Sequence, residues 1–161
     1  MKRLARRILD AGRARGVTIA TAESCTGGML GAALTDLPGS SLIYAGGFIT
    51  YSNELKRNLL GVREQTLSRH GAVSEAVAHE MADGARSRTG ASHAISVTGI
   101  AGPGGSEFKP EGRVCFALAS ADGMRTETVD FGAVGRDRVR RAARDHALRM
   151  LEQALRAQPS P

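Results

Sequence analysis

The sequence predicts a single α/β domain in three layers, with helices on both faces of a sheet that mixes parallel and antiparallel pairs. Three observations carry that expectation. Short apolar runs rich in β-branched residues alternate with segments of helical periodicity from the N-terminus to Gly99. Two further runs joined at Ala121-Asp122-Gly123 then read as a hairpin, which adds antiparallel pairing. No internal repeat or linker divides the 161 residues, about one domain's worth.

Each element has a local cause. Residues 3–14 carry Leu4, Ile8 and Ala11 at helical spacing among arginines, with a stop near Gly16. VTIATA, residues 17–22, reads as a buried strand. TGGMLGAALTDL then reads as a helix with Thr26 near its start and Leu37-Pro38-Gly39 as its stop. SLIYAGGFITYS, residues 41–52, is a strand whose Gly46-Gly47 pair implies a bulge or a close backbone approach. NELKRNLLGV is a short helix capped by Asn53 and closed by Gly61. Ser74 opens a longer helix that keeps Val77 and Met81 on one face and stops at Gly90. HAISVTGI, residues 93–100, is the next strand and leads into the glycine-rich loop TGIAGPGGSEFKPEG. RVCFALAS and MRTETVDFG form the hairpin. A last helix from about Gly135 to Ala157 sets Val139, Ala143, Ala147, Met150 and Leu151 on one face. The domain is expected over 1–157, with 158–161 as a loose tail.

Composition bounds the function. Aromatic residues are 4% of the chain and tryptophan is absent, so Ala, Val, Leu and Ile must fill the core. The net charge of +6 permits phosphate or nucleic-acid partners, but the arginines sit mainly on the two terminal helices and no aromatic reading module accompanies them, which disfavours nucleic acid. Cys25 and Cys115 make no disulfide framework and match no zinc spacing. With no apolar run near the ~18 residues that span a bilayer, and no apolar signal core behind the basic N-terminus, a cytoplasmic protein is expected.

AESCTGG, residues 22–28, falls in the turn between a strand and a helix, where an α/β sheet presents ligand-binding groups. Ser24 needs a base to act as a nucleophile. His70, His79, His93 and His146 have no motif around them, whereas Lys56, one of three lysines, sits in the polar cluster YSNELK and would serve if its pKa were lowered. Cys25 is the more reactive atom type, yet no Cys/His/Asn pattern supports it. Glu23 reads equally as a base or as an acceptor for the turn's amides. The loop Thr98–Gly105 and the helix start Thr26-Gly27-Gly28 are both anion-friendly, and together they suggest a nucleotide-like ligand.

Taken together, AESCTGG, GGFITYSNELKRNLLGV, HGAVSEAVAHEMA and SVTGIAGPGG followed by KPEG resemble the CinA C-terminal domain family, in order over nearly the whole chain. The resemblance implies a nicotinamide-nucleotide amidase of the Ser/Lys type. Its serine falls on Ser24, its lysine on Lys56 and its tyrosine on Tyr51. Amides of Cys25, Thr26 and Gly27 would form the oxyanion hole. Thr98, Gly99, Gly102, Gly104, Gly105 and an arginine, best matched by Arg138 with Arg136 as rival, would hold the substrate phosphate. The rivalry arises because the last helix opens Gly135-Arg136-Asp137-Arg138 where relatives often read Gly-Asp-Arg. The resemblance further implies no metal or organic cofactor, a small nucleotide substrate and a homo-oligomer. A non-catalytic nucleotide-binding module in a competence or DNA-damage response is the alternative it leaves.

Overall fold

In the computed structural model, which describes residues 2–106 and 108–157, the chain runs α1 (Lys2–Arg15), β1 (Ile19–Glu23), α2 (Met29–Thr35), β2 (Tyr44–Ile49), α3 (Asn53–Leu60), α4 (Glu64–His70), α5 (Glu75–Thr89), β3 (His93–Gly99), β4 (Arg113–Ser120), β5 (Gly123–Asp130) and α6 (Arg136–Ala157), with a 3-10 turn at Ser40–Leu42. The expected tail, 158–161, lies outside the described residues. The five strands lie in the order β2-β1-β3-β4-β5. β1 pairs in parallel with β2 and β3, whereas β4 runs antiparallel to both β3 and β5. This is the mixed three-layer sheet the sequence predicts.

Strand alternation sorts large and small side chains to opposite faces. Ile19, Ile95, Val97, Val114, Phe116 and Leu118 form one core with α1, α2 and α6. The other face carries Ala20, Ala22, Ala94, Ser96, Ala117 and Ala119. So little side-chain volume lets α5 settle close, and the Ser96 hydroxyl reaches it, donating to the Ala78 carbonyl at 2.6 Å. Gly84 permits an equally close approach to α3, because a Cβ there would overlap the Leu60 carbonyl at that helix's end. The end of α3 is thereby held against α5, with Leu60 packed among Ala20, Ala22 and Met81.

Three expectations shift in detail. The strand expected over 41–52 is confined to β2, since the segment before it is wound into the 3-10 turn. Register slips between Ile19 and Ala20, which pair with Tyr44 and Gly46, so the anticipated bulge is present; Gly47 is also needed because a Cβ would overlap the Thr21 hydroxyl. α3 is capped by Ser52, whose hydroxyl accepts from the Leu55 amide at 3.1 Å, and Asn53 is the first helical residue. α4 was absent from the sequence reading: of its seven residues only Thr66 and Leu67 are buried, too few to show a period. Ser74 caps α5 as expected, accepting from the Val77 amide at 3.2 Å.

Gly84→Ala should lower the urea midpoint by an amount equivalent to about 2 kcal/mol or more, with an unchanged slope, because helix and carbonyl must part to admit the methyl group. A midpoint within experimental error of wild type would show that α5 is not held this close.

Candidate active site

Parallel pairing brings the carboxyl ends of β1, β2 and β3 to one edge of the sheet, and the residues just beyond them meet there. Ser24 extends β1 by one step, its amide donating to the Val97 carbonyl at 2.9 Å. Thr50 does the same beyond β2, donating to the Glu23 carbonyl at 2.8 Å. The chain then reverses sharply. Gly27 and Gly28 adopt φ of 58° and 96°, left-handed conformations that favour glycine, and the Gly27 amide donates to the Ser24 carbonyl at 3.0 Å.

Glu23, 1% exposed, takes a definite role in this turn. Its carboxylate accepts from the amides of Gly28 (3.0 Å), Leu30 (3.1 Å) and Gly31 (2.8 Å), satisfying the start of α2 and placing negative charge at the helix's positive end. Glu23 is therefore the acceptor of the two roles the sequence left open. Of the anion site expected at Thr26-Gly27-Gly28, the Gly28 amide is thus taken by an internal carboxylate.

Lys56 comes from the second turn of α3 and is 1% exposed. Its Nζ lies 3.0 Å from Ser24 Oγ and 2.8 Å from the Thr50 carbonyl, with the Tyr51 carbonyl at 3.5 Å. Burial disfavours the ammonium and lowers its pKa from 10.5 to about 8. Above a pH of about 8 the amine is neutral, with a lone pair within hydrogen-bond reach of the serine hydroxyl. Burial acts oppositely on Cys25, raising its thiol to about 12 against the weaker downward pull of Lys56 and Arg140, so it stays protonated and packs.

Ser24 and Lys56 open on a cleft of about 340 Å³. Thr98 lines it, its hydroxyl donating to the Ala72 carbonyl at 2.8 Å and tying β3 to the loop before α5. Gly99, Gly102 and Gly104 line it as well. Gly105 does not: it packs against the backbone of Lys109 and Glu111. The loop is a less open anion cradle than expected, because the Gly104 amide donates to the Glu111 carboxylate at 2.7 Å. Cys25 lines the cleft, whereas Gly27 and the side chain of Thr26 do not.

Helix geometry separates the two rival arginines. Positions 136 and 140 are one turn apart on the same face of α6, and 138 points elsewhere. Arg136 lines the cleft, donating to the Gly102 carbonyl at 2.8 Å and to the Tyr51 hydroxyl at 2.7 Å. Arg138, preferred from the sequence, is exposed and is not part of the cleft wall. Tyr51, 59% exposed, holds its phenol on Arg136 rather than on Ser24 or Lys56, so the structure does not place it as their proton relay. Two residues escaped the sequence reading. Asn53 lines the cleft three positions before Lys56, on the same side of α3. Arg140 donates to the carbonyls of Cys25 (2.9 Å) and Thr26 (3.2 Å), and its spacing of four from Arg136 was the available signal. His93 begins β3, at the sheet edge opposite Ser24. Among the described residues no group of His, Cys, Asp or Glu could hold a metal ion, and no helix is long and apolar enough to cross a membrane.

Comparison with known proteins identifies similar chains. A family model described as CinA C-terminal domain matches residues 1–155. The chain is 49% identical over 154 residues to nicotinamide-nucleotide amidohydrolase PncC of Escherichia coli (strain K12), covering 95% of this chain and 93% of that protein. It is 53% identical to a CinA-like protein of Chlorobium phaeobacteroides (strain BS1), of which it covers 35%, using 88% of its own length. Among solved structures, competence damage-inducible protein A (ComA) of Klebsiella pneumoniae subsp. pneumoniae MGH 78578 superposes with a TM-score of 0.94 at 40% identity, covering 98% of each chain. Competence/damage inducible protein CihA from Agrobacterium tumefaciens does so with a TM-score of 0.92 at 45% identity, covering 96% of this chain and 94% of that one.

Glu23→Ala leaves three amides without their acceptor and should destabilise the fold by about 3 kcal/mol or more in urea titration, with Glu23→Gln milder. A loss under 1 kcal/mol (~) for the alanine variant would contradict the capping role. Lys56 links stability to pH. Its folded pKa lies below its unfolded value, so the unfolded chain binds more protons between about 8 and 10.5, and stability rises with pH across that window. The gain should reach about 3 kcal/mol, read as the difference between wild type and Lys56→Met, which lacks the titrating group.

Proposed function

The chain belongs to the CinA C-terminal domain family, and from that premise we propose that it is an amidohydrolase that converts nicotinamide mononucleotide to nicotinate mononucleotide and ammonia through an acyl-enzyme on Ser24. One observation carries the reading: the buried 3.0 Å contact between Lys56 Nζ and Ser24 Oγ at the floor of a cleft. The identity to a protein named as a nicotinamide-nucleotide amidohydrolase supplies the substrate class.

The steps follow from the groups in reach. Neutral Lys56 takes the proton of Ser24 as Oγ attacks the carboxamide carbon. Negative charge gathers on the carboxamide oxygen, where the amides of Cys25 and Thr26 serve as donors; Gly27 is left out because its amide is bound to the Ser24 carbonyl. The tetrahedral intermediate collapses, the Lys56 ammonium passes its proton to the departing nitrogen, and ammonia leaves an ester on Ser24. A water molecule, deprotonated in turn by Lys56, attacks the ester, and nicotinate mononucleotide leaves as Ser24 regains its proton. Arg136 supplies the positive charge for the phosphate at the cleft's mouth, with Tyr51 beside it, a fork of donors that suits phosphate oxygens. A non-catalytic role would leave the cost of burying Lys56 without a return. The same reading places the protein in the cytoplasm as a homo-oligomer, for which exposed Leu42 and Ile49 beside the free edge of β2 offer apolar surface.

Ser24→Ala and Lys56→Ala should each cut ammonia release from nicotinamide mononucleotide by a factor on the order of 10² or more while remaining folded. Cys25→Ala should stay active, and wild-type turnover in either of the first two variants would sink the mechanism. kcat/KM should rise with pH through about 8 as Lys56 loses its proton, then level off. Arg136→Ala should mainly raise KM and Arg138→Ala should change little; the reverse result would return the phosphate to Arg138.

A further inference from the structure

Arg140 has no part in the steps above, yet it is built into the turn that performs them. It lies half-buried one helical turn after Arg136. Its Nε donates to the Cys25 carbonyl and its Nη2 to the Thr26 carbonyl, at 2.9 Å and 3.2 Å. Two consecutive peptide planes are thus held by one rigid, planar group. At Gly27 a Cβ would stand 3.3 Å from Nη2, so the turn closes directly on the guanidinium.

Peptide planarity sets the consequence. In a trans peptide the carbonyl and the following N–H point in opposite directions. Fixing the Cys25 carbonyl on Arg140 therefore turns the Thr26 amide away from α6. The Ser24 carbonyl, held by the Gly27 amide, orients the Cys25 amide in the same manner. Among the described residues neither the Cys25 nor the Thr26 amide is bound to a backbone carbonyl, and the Cys25 amide meets only its own thiol.

We propose that Arg140 is a positioning residue for the reaction: by clamping the Cys25 carbonyl it aims the Thr26 amide, and by fixing the Thr26–Gly27 peptide, whose amide holds the Ser24 carbonyl, it sets the Cys25 amide, so that both face the carboxamide oxygen as that atom gains charge. Its own positive charge acts on the same turn, as its downward pull on the Cys25 thiol shows. The inference rests on the amidase reading, and it assigns Arg140 to the transition state rather than to substrate binding.

Ammonia release by wild type, Arg140→Ala and Arg140→Lys tests it, with circular dichroism to confirm folding. Arg140→Ala should lose about 10- to 100-fold in kcat with KM within about twofold, since the donors act only once charge develops. Arg140→Lys, which can hold one carbonyl at a time, should fall between it and wild type. Guanidinium ion at millimolar concentration should restore part of the alanine variant's kcat, an effect that general loss of structure would not produce. The pH at which kcat/KM rises should stay that of wild type, showing that Lys56 is untouched. An unchanged kcat, or a rise in KM alone, would overturn the inference while leaving the amidase intact. If Arg140→Ala does not fold, the lysine variant decides on the same criterion of kcat against KM. A wild type that releases no ammonia would overturn the amidase reading and this inference with it.

Discussion

A lysine ammonium taken out of water beside a serine hydroxyl is the constraint around which the rest of this molecule is arranged. Lys56 is among the largest fully buried side chains of the protein, and its charged form is disfavoured there. What makes the burial tolerable is a small set of fixed oxygens, the Thr50 carbonyl and Ser24 Oγ, standing where water would otherwise be. Those oxygens exist at that point because β1 and β2 are parallel and their ends are held in step by the bond from Thr50 to Glu23. Slippage of one residue in that pairing would carry the serine and the carbonyl away from the amine together.

Close packing on one face of the sheet supports the same contact. Alanines and Ser96 on that face let α5 approach, and α5 in turn bears on the end of α3 through Gly84. α3 is the helix that carries Lys56, so the stripe of small residues bears on the position of the amine. The opposite face, filled by large aliphatic side chains and Phe116, anchors α6, which brings Arg136 to the cleft and Arg140 to the back of the turn. Each face of the sheet thus places one part of the site.

The turn between β1 and α2 is braced from both directions. Glu23 holds the amides that follow it, and Arg140 holds the carbonyls within it. A negative and a positive side chain, each bonded to backbone rather than to the other, fix a stretch of chain that glycines alone would leave supple. Such a frame suits a reaction in which charge appears briefly on one oxygen and must find donors already in place.

Much of this was legible in the chain itself. The order of strands and helices, the hairpin, the Ser74 cap and the bulge at Gly46-Gly47 follow from local period and turn chemistry, which act over a few residues and so leave a mark in any short window of sequence. The residue types of AESCTGG and YSNELK named Ser24 and Lys56 in the same manner, with the family resemblance choosing among the partners that chemistry allowed. Other assignments depended on what lay across the fold. Whether Glu23 was base or cap turned on three amides reaching back to it, and which of Arg136 and Arg138 reached the cleft turned on the face that α6 presents there. The Glu111 carboxylate at Gly104 narrowed a loop that looked open in sequence. Sequence alone determined which groups were present and the local structure carrying them. Tertiary structure decided which of them met, because distance and burial between residues tens of positions apart arise only when the whole sheet is paired and both of its faces are packed.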